Sequence, residues 1–155
     1  MTTSHRQTSS HPRAGTSGKA GKIALGVQDL DRSRRFYADW GWQAHPASQP
    51  GLVLFQMTGA ALALFSRAEL AADQNRAAGD LGTGAMTLAQ NCEDADQVDA
   101  VFQAAVDAGA TELKRPEKVF WGGYSGYFAD PDGHVWEIAH NPGWPLAPNG
   151  TLTLP

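Results

Sequence analysis

Short apolar runs set off by glycine and proline alternate with two longer stretches in which apolar residues recur every three or four positions. The first run, residues 23–27, predicts a strand. Asp29 and Asp31 then offer N-cap carboxylates to a helix with Leu30, Ser33, Phe36, Tyr37 and Trp40 on its inner face, closed by Gly41. Three strand-like segments follow at 42–47, 52–57 and 61–65, with Pro50-Gly51 and Gly59 at the turns. Ser66 and Glu69 have the spacing of a capping box for a short polar helix, and residues 79–84 read as a glycine-punctuated linker.

The same order then returns. Residues 85–92 form a strand pattern, and Asp94 with Gln97 caps a second helix. Its stripe is Val98, Val101, Phe102, Ala105 and Ala108, and Gly109 ends it. Strand patterns at 111–114, 125–129 and 134–139 complete the copy. Two βαβββ modules, 22–78 and 84–142, make one α+β domain over 22–142, with each helix on the outer face of a curved sheet and a cleft between the inner faces. Residues 143–155 belong to a proline-rich tail expected to lie extended over the body, and residues 1–21 to a polar leader carrying His5 and His11.

The last two strand patterns frame an Asp130-Pro131-Asp132-Gly133 turn. Pro131 presets φ, the aspartates accept local backbone hydrogen bonds, and Gly133 supplies the left-handed residue. Beyond it, Val135, Glu137 and Ala139 share one strand face, while His134, Trp136, Ile138 and His140 share the other. Glu137 is thus a carboxylate amid apolar neighbours, and a buried one needs a partner. The same parity separates His134 and His140 from Glu137, so the three cannot converge on one ion; His45 lies beside Pro46 at a strand edge.

A hydrophobic content of 42% with 18% charged residues is that of a globular chain. The net charge of −4 argues against nucleic acid or an anionic membrane as partner, and no apolar run reaches membrane-spanning length. Cys92 is the only cysteine, which excludes an internal disulfide and fits a reducing cytoplasm; beside a helix start it reads as an inert thiol. Arg32, Arg34 and Arg35 read as a solvated face. Gly122-Gly123-x-x-Gly126 opens no helix and is not a phosphate loop, and no Ser-His-Asp or Cys-His set is present.

The paired modules, the segment Leu25-Gly26-Val27-Gln28-Asp29-Leu30-Asp31-Arg32-Ser33-Arg34-Arg35-Phe36-Tyr37 and the motif from Asp130 to Glu137 resemble the vicinal-oxygen-chelate superfamily. That superfamily includes glyoxalase I, extradiol dioxygenases and bleomycin-resistance proteins, and the resemblance spans about 22–142. It implies a homodimer and, in metal-using members, four ligands. Their positions fall on Lys22, near Leu64, about Thr87, and on Glu137. One of the four is a good ligand, so the expectation is no metal and no other cofactor.

Two functions follow as expectations. One is metal-independent binding of an aromatic or amphipathic small molecule. The other is a glyoxalase- or dioxygenase-type enzyme with Glu137 as general base or retained ligand. Candidate ligand-binding residues are Lys22, Gln90, Trp121, Tyr124 and Glu137; Lys22 either pairs with Glu137 across the cleft in place of a metal or is the solvated end of the first strand. Trp121 and Tyr124 read either as an aromatic wall over a ligand or as packing of the hairpin, whereas Tyr127, Phe55 and Met57 are expected to pack.

Overall fold

The structure is a computed structural model and describes residues 20–155, so the expected leader with His5 and His11 lies outside the described residues save for Ala20 and Gly21. Strand β1 (Lys22–Val27) leads to helix α1 (Leu30–Trp40), strands β2 (Leu52–Met57) and β3 (Ala60–Ser66), and a short helix α2 (Arg67–Asp73). A 3-10 turn at Ala78–Asp80 crosses to β4 (Thr87–Asn91), α3 (Ala95–Asp107), β5 (Thr111–Lys118), β6 (Tyr124–Ala129) and β7 (Val135–His140). The α+β class is as expected, in two mixed sheets ordered β1-β3-β2 and β4-β7-β6-β5. In each sheet the first strand runs parallel to the last, with Lys22 opposite Ala61 and Thr87 opposite Val135.

Local chemistry sets most boundaries. Asp29 caps α1 by accepting from Arg32 N at 3.0 Å, and Gly41 ends it with φ 115°. Asp94 accepts from Gln97 N at 2.7 Å, and the Gln97 side chain returns to Glu93 N, also at 2.7 Å. Gly126 of β6 is needed for another reason: a Cβ there would come within 2.8 Å of the Pro116 ring on β5.

Three expectations are corrected. Residues 42–47 are not a strand; the segment joins β2 through His45 N to Leu54 O at 2.7 Å. Pro46 has no N–H, and side chains replace the ladder, with Ala47 N on His45 Nδ1 at 3.0 Å and Leu54 N on Ser48 Oγ at 2.9 Å. The capping box at Ser66 does not form: Ser66 still pairs with Val27 as the end of β3, its side chain makes no cap bond, and the Glu69 carboxylate lies against Gly51. The tail is not simply extended. Leu146 bridges Leu152, Ala147 N donates to Thr151 O, and Thr58 Oγ1 donates to Asn149 O at 3.4 Å, holding the folded-back tail on the β2–β3 turn.

The helix-bearing faces of the two sheets share one core. Leu25, Val27, Val53, Phe55, Leu62 and Leu64 from the first meet Phe128, Trp136 and Ile138 from the second, through Tyr37 and Trp40 of α1. Ring centroids are 5.7 Å apart for Tyr37–Phe55, 5.1 Å for Trp40–Phe128 and 5.1 Å for Trp40–Trp136. The opposite faces of both sheets therefore look outward, and the expected cleft between them is not enclosed within one chain.

The Asp130–Gly133 turn holds the modules together. Asp130 accepts from Asp132 N and His134 N with one oxygen and from the buried Tyr37 hydroxyl at 2.8 Å with the other. That hydroxyl in turn accepts from Trp136 Nε1 at 3.1 Å. Asp132 reaches the start of α1, accepting from Gln28 N at 2.8 Å, Ser33 Oγ at 3.0 Å and Arg32 at 3.3 Å. Arg32 is thereby drawn in from the solvated face expected for it, while Arg34 and Arg35 stay exposed. Burial pushes the Asp130 carboxyl up, against the opposing pull of the Tyr37 bond, and burial followed by the Asp130 charge pushes the Tyr37 phenol well above its ordinary value.

Two outcomes follow. Tyr37→Phe strips a partner from two buried groups and should lower unfolding stability by about 2–3 kcal/mol in urea titrations. A change near zero would show that the hydroxyl bridge is not holding the modules. Cys92 is 2% exposed, and burial followed by the Asp94 charge pushes its thiol to about 11. At pH 8 only roughly a thousandth is thiolate. A disulfide reagent should therefore leave the native thiol unmodified and react with it fully once the chain is unfolded; rapid native labelling would contradict this packing.

Candidate functional site

Glu137 occupies the middle of β7, half-buried on the outward face of the second sheet. Its neighbours in register are Ala89 on β4 and Tyr127 on β6. Burial, and then the adjacent Glu137 carboxylate, push the Tyr127 phenol above its ordinary range, so it keeps its proton as a donor beside the carboxylate. Tyr127 was expected to pack, and it is instead the polar partner of Glu137. Strand register held the missed signal: closing the turn at Asp130 and His134 counts Ala129 onto Val135 and Tyr127 onto Glu137.

Lys22 is exposed at the start of β1, on the outward face of the first sheet. The ion pairs among the described residues are Arg32–Asp132, Lys114–Glu117 and Arg115–Glu112, so of the two readings of Lys22 the pair with Glu137 is not made within the chain and the solvated strand end is. The shared core explains this, because the two residues lie on outward faces of different sheets.

The other positions implied by the resemblance divide in the same way. Thr87 lies on the face of Glu137, one strand over. Leu64 is fully buried on the core face, and the β3 residues that share a face with Lys22 are Ala61, Ala63 and Phe65. Lysine, threonine, apolar groups and one carboxylate do not fit a divalent transition metal, which takes several imidazole, thiolate or carboxylate ligands. Among the described residues no three His, Cys, Asp or Glu side chains gather. His134 Nε2 lies 2.8 Å from Gly26 O and His140 Nδ1 3.1 Å from Cys92 O, each tied to a backbone carbonyl away from Glu137.

The remaining candidates are not brought to Glu137. Trp121 sits at the tip of the β5–β6 hairpin, 43% exposed, with its ring over Gly123 where a side chain would collide. Tyr124 donates to Asp99 Oδ1 of α3 at 2.7 Å, which places its hydroxyl on the helix side of the sheet. Gln90 pairs with Ile138 on the core side of β4 and lines a cavity of about 980 Å³ between the modules, with Trp42 and Trp136. The five candidates thus occupy separate places rather than one wall. No helix among the described residues is long and apolar enough to cross a membrane.

Comparison with known proteins agrees with this architecture. Residues 19–138 match the profile of the Glyoxalase/Bleomycin resistance protein/Dioxygenase superfamily. The fold is similar to that of a glyoxalase-related enzyme from Fulvimarina pelagi, with 36% identity, a TM-score of 0.80, and coverage of 87% of this chain and 96% of that one. It is also similar to a lactoylglutathione lyase from Agrobacterium tumefaciens, with 26% identity, a TM-score of 0.62, and coverage of 78% and 92%. An uncharacterized protein of Mycobacterium tuberculosis is 49% identical over 41 residues, a match spanning 26% of this chain and 24% of that protein. The two sheets, their connections and the matched span place the chain in one family: it belongs to the Glyoxalase/Bleomycin resistance protein/Dioxygenase superfamily.

Proposed function

We propose that this chain is a metal-independent small-molecule-binding member of its superfamily, acting as a homodimer. The observation that carries this reading is the composition of the outward faces. Of the positions where metal-using relatives place ligands, only Glu137 carries a donor suited to a divalent ion, and its register partner is a protonated tyrosine. A carboxylate beside a phenol donor on a half-buried sheet face suits recognition of a polar group on an otherwise apolar ligand. Each outward face is a single open wall, so a second copy laid against it completes a cleft.

A second reading rests on the same pair. The Fulvimarina neighbour is a glyoxalase-related enzyme at 36% identity, and Glu137 beside Tyr127 is a base next to an acid. In that reading Glu137 removes a proton from the carbon next to a substrate carbonyl, and the Tyr127 hydroxyl donates a hydrogen bond to the oxygen that gains charge. Glu137→Gln would then abolish turnover of a 2-oxoaldehyde hemithioacetal while Tyr127→Phe slowed it.

Elemental analysis of the purified, untagged chain separates the metal question from both. Nickel, zinc, iron and manganese should stay far below one atom per chain, and stoichiometric metal lost on Glu137→Ala would overturn the reading. Light scattering should give twice the chain mass. Ala89→Arg, on the exposed face beside Glu137, should yield a folded monomer. A wild-type monomer at micromolar concentration would remove the completed cleft.

A further inference from the structure

The cavity between the modules runs along the free edge of β4 and takes in Ala89, Gln90 and Asn91 together, while Glu137 does not line it. Of the three, Gln90 is the one on the core side, opposite Ile138. The cavity holds about 980 Å³, within the range of small-molecule sites. A smaller recess of about 310 Å³ continues from it, and both are lined by Gly41, Trp42 and Gln90.

Three features of the wall define what would fit. Its apolar part includes three aromatic rings, Trp42, Phe55 and Trp136, beside Pro46, Met57 and Leu152, with Trp42 ring centroids 5.6 Å from Phe55 and 5.5 Å from Trp136. Indoles already fixed by edge contacts present a rigid surface to a flat ring, with little rotamer freedom left to lose on binding. The wall contains no Lys, Arg, Asp or Glu, and its one imidazole, His45, already accepts from Ala47 N at 3.0 Å, so an ionised ligand would leave water without a fixed counter-charge. Its polar groups differ in availability. Gln56 is bonded to the carbonyls of Met57 and Ala60 at 2.8 and 3.2 Å, whereas the half-buried Gln90 amide makes no hydrogen bond to another described residue. A primary amide left in that position offers one donor and one acceptor side by side.

The geometry points to a binding site for a neutral, planar molecule whose edge carries an adjacent donor and acceptor, as a lactam or cyclic imide does, with its ring against Trp42 and its edge on Gln90. The Gly150–Leu152 part of the folded-back tail closes one side of the cavity. Neither Glu137 nor Tyr127 lines this site, and its occupancy requires neither a metal nor catalysis.

The test uses isoquinolin-1(2H)-one, a planar lactam, titrated into the nitrogen-15-labelled full chain while the indole N–H signals are followed, with Trp42 assigned through Trp42→Phe. A saturable shift of the Trp42 signal is expected. Gln90→Leu, which keeps the side-chain volume, should weaken binding by about tenfold or more with no change in melting temperature. The N-methyl lactam, which lacks the donor, should show the same loss on the wild-type chain, a check that does not depend on any variant folding. Absence of a saturable shift, equal binding by Gln90→Leu, or equal binding of 2-naphthoate would overturn the proposal. Loss of lactam binding in Glu137→Ala with Gln90→Leu unaffected would place the ligand on the outward face and overturn it as well, while leaving the reading of that face standing.

Discussion

The Asp132 carboxylate, set against the start of α1, is the interaction on which the arrangement of the two modules depends. Its side chain is 4% exposed, so its charge is sustained by what it accepts: the Gln28 amide, the Ser33 hydroxyl and the Arg32 guanidinium. Those donors all belong to the first module, while the carboxylate sits on the turn between β6 and β7. Removing either side would leave a buried charge or orphaned donors, a heavier penalty than the net worth of the bonds. Asp130 repeats the device one layer deeper, through Tyr37 to Trp136. The residues that make the motif recognisable thus fasten one module to the other. They identify the fold and say little about chemistry, which is why one motif can serve binders and enzymes alike.

That division explains what was legible in the sequence. The Asp94–Gln97 box, the Gly41 stop and the separation of His134 and His140 from Glu137 depend on spacing within one element, and each is present. Failures came where a distant group competes for the same atoms. Ser66 stays bound into β3 instead of capping α2, and beside residues 42–47 the Ala47 and Leu54 amides bond the His45 and Ser48 side chains in place of a ladder. Arg32 looked like a surface residue because its partner lies a hundred positions away. The bond of Tyr124 to Asp99 was not legible, because Asp99 belongs to a helix whose packing the strand pattern does not encode. Tyr127 stood within reach of sequence reasoning, through the register that the turn imposes.

The shared core changes what the candidate residues mean. With Phe55, Leu62 and Leu64 facing Phe128, Trp136 and Ile138 across Tyr37 and Trp40, the surfaces bearing Lys22 and Glu137 turn away from each other. A salt bridge in place of a metal would have required those surfaces to close on one another within the chain. What remains at Glu137 is a carboxylate, a phenol that holds its proton, and small or hydroxyl residues on the adjoining strand. This chemistry favours accepting and donating single hydrogen bonds over gripping a cation.

Strand β4 stands between two different environments. Pleating sets Ala89 beside Glu137 and Gln90 beside Ile138, and at this free edge both also border the aromatic cavity. As an edge strand, β4 has no strand partner on the side away from β7. The gap there is lined by Trp42, Met57, Thr58 and the tail rather than closed by a further strand. In the first module, residues 42–47 fail to become a regular strand and leave Trp42 free to turn toward Trp136. The irregularity at Pro46 and the room around Gln90 therefore belong together: a straight strand there would have carried Trp42 along a regular edge, whereas the looped segment sets its indole against the second module as one wall of the cavity.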